Sequence, residues 1–328
     1  MKDAAYPNPS QSPASGKTQR DDAPRVRALL RRATDLLFLV RPVLLGPVWA
    51  IYGAGALVAG GRPGWDLLFV SLLVSGVYVH NQLVDVDTDR ANRKLFLIGD
   101  EHVSRSAAWW VVALAWTAAL LWAATETEGY RFFLYLAALA LGLAYNALRV
   151  PWKARPWLGL FANTAAHGPV TFLAGYTAAG GGWYQGAIAS LPYAFAVGAV
   201  YLATTIVDHR GDWKSGKVTM AVRYGERATA WMIGSLVLVS VLLADVVDDP
   251  WMAVAAAVSA PVALVLALYP VPKAAEVMAK VAVLALAFCV AVRWPPLFLL
   301  AAATFFGARL YYRWRLGVRY PTFGAEQP

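Results

Sequence analysis

Residues 67–94 read LLFVSLLVSGVYVHNQLVDVDTDRANRK, and the fold turns on how the two halves of this stretch are joined. Its first half is mostly apolar and long enough, as a helix, to cross a bilayer, which takes about 20 residues. Its second half sets three aspartates and two asparagines at the mouth of that helix. Asn81, Asp85 and Asp89 recur every four residues and stack on one face, drifting about 40° per step, while Asp87 falls off it. Acidic groups at a helix carboxy end oppose the macrodipole by about 0.3–1 kcal/mol each, and at this spacing they also oppose one another. Either water solvates them or a cation lies between them.

The rest of the chain sets the context. Of 328 residues, 59% are hydrophobic and 15% charged, with a mean hydropathy of +0.49. Ordinary soluble domains carry about 25% charged residues, so this composition is that of a polytopic, all-α membrane protein. Apolar runs that predict spanning helices fall near 43–60, 67–84, 107–124, 132–148, 158–177, 187–207, 228–247, 250–269, 276–293 and 296–312. Only Trp294-Pro295-Pro296 parts the last two, so nine or ten spans are expected. The loops after even-numbered spans hold fourteen lysines and arginines, and the others only Arg62, Arg131 and Arg293. That bias turns the even-numbered loops toward the cytoplasm and accounts for the net charge of +9 without nucleic acid. The first 24 residues are rich in Pro, Ser and charge and read as a disordered tail. Cys289 is the single cysteine, so no disulfide framework exists.

A second acidic set, IVDHRGDWKSGKVT, places Asp208 and Asp212 four residues apart at the cytoplasmic end of the sixth run. One solvated aspartate at a helix end is ordinary; two matched sets on one side of the membrane predict bound cations. Oxygen-only donors of this kind suit Mg²⁺, which is held by one or two carboxylates plus substrate phosphates. Between the two sets, YNALRVPWKARPWLG (residues 145–159) supplies Arg149, Lys153 and Arg155, able either to anchor the loop or to grip phosphate oxygens. Lys217 and Arg223 share that ambiguity. His80, His102, His167 and His209 lack ligand spacing, so zinc is not expected; His80 and His209 lie next to acidic-motif residues or on the surface. Asn163, at lipid depth, reads as a site or an interhelical bond. Asp66, Asp245, Asp248 and Asp249 read as solvated outer-boundary residues.

Asn81-x-x-x-Asp85-x-x-x-Asp89, then Tyr145 and Lys153, then Asp208-x-x-x-Asp212 followed by GKVTMAVRYG, resembles the UbiA-type intramembrane prenyltransferase superfamily; Arg41-Pro42 before the first span does too. The resemblance covers about residues 36–293. It implies a helical bundle around a central cavity capped on the cytoplasmic side, with residues 1–24 as a cytoplasmic tail, 25–313 as the prenyltransferase domain and 314–328 as a short basic tail. It also implies Mg²⁺-dependent transfer of a polyprenyl group from its diphosphate, in a prokaryotic cell membrane. Asn81, Asp85, Asp89, Asp208 and Asp212 would hold the metal, the four aspartates acting in catalysis. Asn81, Tyr145, Arg149, Lys153 and Lys217 would contact the diphosphate, and Arg41 and Asn163 the acceptor. An aromatic, quinone-precursor acceptor is the expectation, with a carotenoid or other lipid as the alternative. Val207 stands where many members carry Lys, which disfavours the haem-farnesylating branch. Two rivals remain, a non-catalytic scaffold and a cation-coupled transporter. The transporter predicts carboxylates near the midplane on helices broken by Gly or Pro, and here they sit at span ends.

Overall fold

The computed structural model describes residues 23–91, 97–126, 129–147 and 149–321, the side chains of 23–27 and 87–91 excepted. The first acidic motif therefore lies only partly within the description, since the side chain of Asp89 is outside it. Most of the expected amino-terminal tail and the last seven residues are outside it as well. Among the described residues every regular element is helical.

Each apolar run falls on a helix or on helices joined end to end. Helix α1 (Ala23–Leu39) leads through a 3₁₀ turn, Pro42–Leu44, into α2 (Leu45–Val58). The joint is Arg41, whose φ of 54° is left-handed and turns the chain. Helix α3 (Asp66–Ala91) carries the acidic motif, so Asp85 and Asp89 lie within its last two turns rather than beyond its end. Helices α4 (Arg105–Thr125) and α5 (Gly129–Tyr145) follow. The next column is broken: α6 (Pro156–Ala165), a π turn (Ala166–Val170) and α7 (Thr171–Ala178). Then come α8 (Trp183–Ala189) and α9 (Leu191–Val207), bent by 45°. Short α10 (His209–Lys214) precedes α11 (Met220–Val246), which kinks at Gly225, then α12 (Pro250–Leu268), α13 (Pro272–Arg293) and α14 (Pro296–Leu316). Six helical segments are long and apolar enough to cross a membrane, or seven if α8 and α9 form one span. The remaining columns are shorter, broken or, in α14, charged by Arg309, Arg313 and Arg315. Helix α14 also runs into the stretch expected to be a tail.

Large apolar side chains face outward, among them Leu114, Leu242, Phe306 and Leu310, while alanine and glycine crowd the interior. Lipid tails are as apolar as leucine, so helices in a bilayer associate through close packing and hydrogen bonds, which small residues permit. Helices α2 and α7 cross at Gly55 and Gly175. A Cβ at Gly55 would sit 2.1 Å from the Phe172 carbonyl oxygen, and one at Gly175 would sit 2.0 Å from that of Tyr52.

Buried polar groups tie down the ends. Asp35 of α1 is 3% exposed and accepts from the Tyr311 hydroxyl (2.6 Å) and from both Nε and Nη2 of Arg315 (3.0 and 3.1 Å), locking α1 to α14. Asp249, expected to be solvated, is instead buried; it caps α12 at the Met252 amide and accepts from the Tyr193 hydroxyl (2.7 Å). Sequence distance hid Tyr193, which makes that burial affordable. His80 is likewise buried, between Trp109 and Trp116.

The α2–α7 crossing leaves no room for a methyl group. Gly55→Ala and Gly175→Ala are each expected to destabilise the fold by about 1–3 kcal/mol, read as a lower thermal midpoint in detergent; two unchanged midpoints would contradict the close contact.

Candidate functional site

Helix α3 stacks Asn81 and Asp85 one turn apart and turns both inward. The partner they meet comes from the loop between α5 and α6, stiffened by Pro151 and Pro156 on either side of a 3₁₀ turn, Trp152–Ala154. That turn buries Lys153, 7% exposed. Its ammonium donates to Asp85 Oδ2 (2.7 Å), Asn81 Oδ1 (3.0 Å) and Asn146 Oδ1 (3.1 Å). An ammonium has three protons and no acceptor, and leaving it unpaired in so apolar a place would cost several kcal/mol. Asn146 is 1% exposed, and its own amide donates to the Gly142 carbonyl, which fixes its oxygen toward Lys153.

A second cation arrives from the other side. Helix α10 closes through a glycine turn: Gly216, at φ +73°, donates to Trp213 O and Lys217 N donates to Asp212 O, the pattern of a Schellman cap. The cap delivers the Lys217 ammonium to 3.9 Å from Asp85 Oδ1. Asp212 also keeps its helical relation to Asp208, its amide donating to the Asp208 carbonyl at 2.9 Å. The Tyr145 and Tyr201 hydroxyls interact. Tyr201 reaches this position because Gly159 has no side chain: a Cβ there would stand 2.4 Å from the Tyr201 oxygen. Tyr145 in turn lines the space below together with Asn81 and Asn146.

Not every expected residue joins them. Arg149 and Arg155 are exposed, and Asp208 is exposed at the joint between α9 and α10. Arg41 and Asn163 lie on cavity walls. Sequence reasoning missed Asn146, Tyr78, Tyr201 and His167. Asn146 adjoins Tyr145 at a span end and had the same signal as Asn81; the aromatic residues had none among so many.

Two cavities open beneath this cluster. The first, about 250 Å³, runs from Arg41, Asn81 and Asn146 down to Val70 and Tyr135. Eleven residues of α3 separate Asn81 from Val70, a depth of about 16 Å. The second, about 380 Å³ and mostly apolar, lies among α2, α9, α11, α12 and α13. Leu44, Tyr78, Asn163 and His167 belong to both walls and divide the two spaces. A polar, charge-paired mouth over elongated greasy chambers fits a ligand with an anionic head and a long hydrocarbon tail.

Residues 40–277 match the UbiA prenyltransferase family, which covers most of the chain and both acidic motifs. The chain belongs to the UbiA prenyltransferase family. With its apolar helices, membership makes it an integral membrane protein of a prenyl-transferring enzyme family. A curated relative, the chloroplastic 2-acyl-4-prenylphloroglucinol 6-prenyltransferase of Humulus lupulus, is 26% identical over 205 residues, 57% of this chain. The chain spans about half the length of that relative (49%). Among solved structures, a UbiA homolog from Archaeoglobus fulgidus bound to DMAPP and Mg²⁺ superposes with a TM-score of 0.61 at 20% identity, covering 79% of this chain and 98% of that one. The apo UbiA homolog from Aeropyrum pernix K1 gives 0.57 at 20% identity, covering 75% and 97%. At such identities the likeness is one of fold.

The donors at the UbiA-fold mouth are oxygens, with two ammonium groups beside them. Among the described residues no three of His, Cys, Asp or Glu gather as a metal site. This set suits a cation that shares its coordination with phosphate and water, as Mg²⁺ does, and not a metal caged by protein alone.

Because Asp85 and Lys153 are buried together, removing Lys153 leaves the Asp85 carboxylate with only the more distant Lys217 ammonium as countercharge. Lys153→Met is expected to lower stability by about 3 kcal/mol, and the double variant Lys153→Met/Asp85→Asn to recover part of that loss. Thermal midpoints of the four proteins of this cycle test the coupling; strictly additive midpoints would refute it.

Proposed function

We propose that the protein transfers a polyprenyl group from its diphosphate to an aromatic acceptor of quinone-precursor type, at the membrane face that carries the basic loops. The positive-inside bias supports reading that face as cytoplasmic and the bundle as nine or ten spans. One observation carries the reading: the Lys153–Asp85–Asn81–Asn146 cluster, with the Lys217 ammonium beside it, sits over apolar cavities. The hop relative is named for prenylating a phloroglucinol, and the Archaeoglobus fulgidus homolog binds DMAPP with Mg²⁺. Both support the same chemistry here.

In this mechanism Asn81, Asp85, Asp89, Asp208 and Asp212 would be the residues that hold Mg²⁺ together with the diphosphate. The ion, when bound, offsets the charge that builds on the leaving group. Lys153 and Lys217 turn from Asp85 toward phosphate oxygens, exchanging one charge-assisted contact for another. Arg149, exposed beside the mouth, is the outer phosphate contact in this reading. Tyr145 and Tyr201 form the floor under the head group. The prenyl tail lies in the first cavity, whose apolar walls exclude the water that would quench an allylic cation. Arg41, held by its left-handed backbone at that cavity's rim, and Asn163 on the dividing wall orient the acceptor.

Asp85→Asn and Asp212→Asn are each expected to abolish transfer from a labelled prenyl diphosphate, on the order of 100-fold or more, in protein that still inserts and melts cooperatively. Chelation is expected to stop turnover of the parent and added Mg²⁺ to restore it. Full activity in both variants, or turnover indifferent to chelator, would overturn the proposal.

A further inference from the structure

The wall between the two cavities is built on a helix defect. In the column α6–α7 the π turn Ala166–Val170 contains Pro169, which has no amide proton to give the ladder. The Ala166 carbonyl accepts from both the backbone amide and the hydroxyl of Thr171, the latter at 2.8 Å. On the other side Gly168 lies against α9 so closely that a Cβ would come within 2.9 Å of the Ala194 Cα. The defect is therefore pinned. π turns of this kind recur at functional sites, where they rotate one side chain out of helical register.

The side chain concerned is His167. It lines both cavities, and its ring stacks beside that of Tyr78, centroids 6.4 Å apart with 28° between planes. Tyr78 stands three residues before Asn81 on α3, one turn below the diphosphate cluster. Of the four residues shared by the two walls, Leu44 is apolar, and the Tyr78 hydroxyl donates to the Leu44 carbonyl at 3.3 Å. On the second wall Ser240 donates to Pro192 O and Ser259 to Ala255 O; the Tyr135 hydroxyl has no hydrogen-bond partner but belongs to the first wall alone, at the far end of that cavity from Asn81. Asn163 and His167 differ. Among the described residues neither is hydrogen-bonded to a protein group, yet both face the cavities. Polar groups left open at lipid depth mark a site for a polar ligand group.

Resting on the aromatic-acceptor reading above, we infer that His167 is a catalytic residue of the transfer, the base that takes the ring proton of the acceptor. The step balances as follows. The allylic C–O bond breaks and its electron pair leaves with the diphosphate. A ring carbon of the acceptor gives a π pair to the prenyl C1, forming the new C–C bond and leaving a cationic ring. The C–H bond at that carbon then breaks; its pair restores the aromatic ring, and the proton goes to the lone pair of a His167 ring nitrogen. The proton passes on to the released diphosphate, completing the cycle. Asn163, one turn before His167 and on the same two walls, holds the hydroxyl or carbonyl substituent of the acceptor and so presents the carbon being attacked.

The test uses the purified full chain in lipid nanodiscs with Mg²⁺, geranyl diphosphate, and either 4-hydroxybenzoate or an acylphloroglucinol, each with and without ring deuterium. His167→Gln and His167→Ala are expected to lower kcat for transfer on the order of 100-fold, while the Kd for geranyl diphosphate stays within twofold of the parent, which also reports folding. A ring-deuterium isotope effect on kcat, small in the parent, is expected to grow in His167→Gln as proton removal becomes limiting. Transfer within threefold of the parent in both variants would overturn the inference. So would lost transfer with no growth of the isotope effect, or with a raised acceptor KM alone. A parent that binds geranyl diphosphate but prenylates neither phenol would instead sink the acceptor class, and the inference with it.

Discussion

A lysine ammonium enclosed by three oxygens fixes the geometry from which the rest follows. Lys153 draws Asp85 and Asn81 from α3, and Asn146 from the end of α5, onto one point. In water such a contact would be worth little; in a bundle walled by lipid, none of its members can find another partner without unfolding part of the structure. The mouth of the cavities carries its own countercharges. That suits a site that receives a multiply charged head group. Both lysines already stand at Asp85, and in the proposed reaction they would pass to phosphate and free that carboxylate for a divalent cation.

The constraint explains a second feature. Regular helices spend their backbone polarity internally, so a cavity lined by them meets a ligand only through side chains. Irregular backbone at membrane depth is tolerated where it lines a cavity or is enclosed by protein. The π turn at Ala166–Val170 meets both conditions, enclosed by α9 at Gly168 and open to two cavities at His167. The kink of α11 at Gly225 and the left-handed Arg41 fall instead near the basic loops, where the chain turns between elements.

Much of this was legible in the sequence, and the reason is periodicity. Apolar length gives the helix ranges, and four-residue spacing gives the face shared by Asn81 and Asp85. Lys153 was visible as a cation in a polar loop facing two acidic motifs. What periodicity omits is which distant helices meet. Tyr201 reaches Tyr145 only because Gly159 makes room, and Asp249 is buried only because Tyr193, 56 residues earlier, satisfies it. Arg149, Lys153 and Arg155 look alike in sequence; a 3₁₀ turn between two prolines buries the middle one and leaves the others in solvent. His167 was read only for zinc spacing, and the π turn that gives it meaning leaves no mark beyond a Gly-Pro pair inside an apolar run.

That broken column bears on the rival reading as a transporter, whose sites lie on interrupted helices near the midplane. The interruption exists, but it carries an imidazole and an amide, while the carboxylates stand on the unbroken end of α3 and at the α9–α10 joint. An imidazole and an amide between apolar cavities offer little to an alkali ion stripped of water, and in the proposed reading they would suit an organic molecule with a hydroxyl or carbonyl. Alternating access also needs one unit to rock against another. Here α7 is wedged against α2 at Gly55 and Gly175 with backbone nearly touching backbone, and the π turn is seated on α9. A wall so fixed on both sides is poorly suited to rocking and well suited to holding a ring still while a carbon–carbon bond forms.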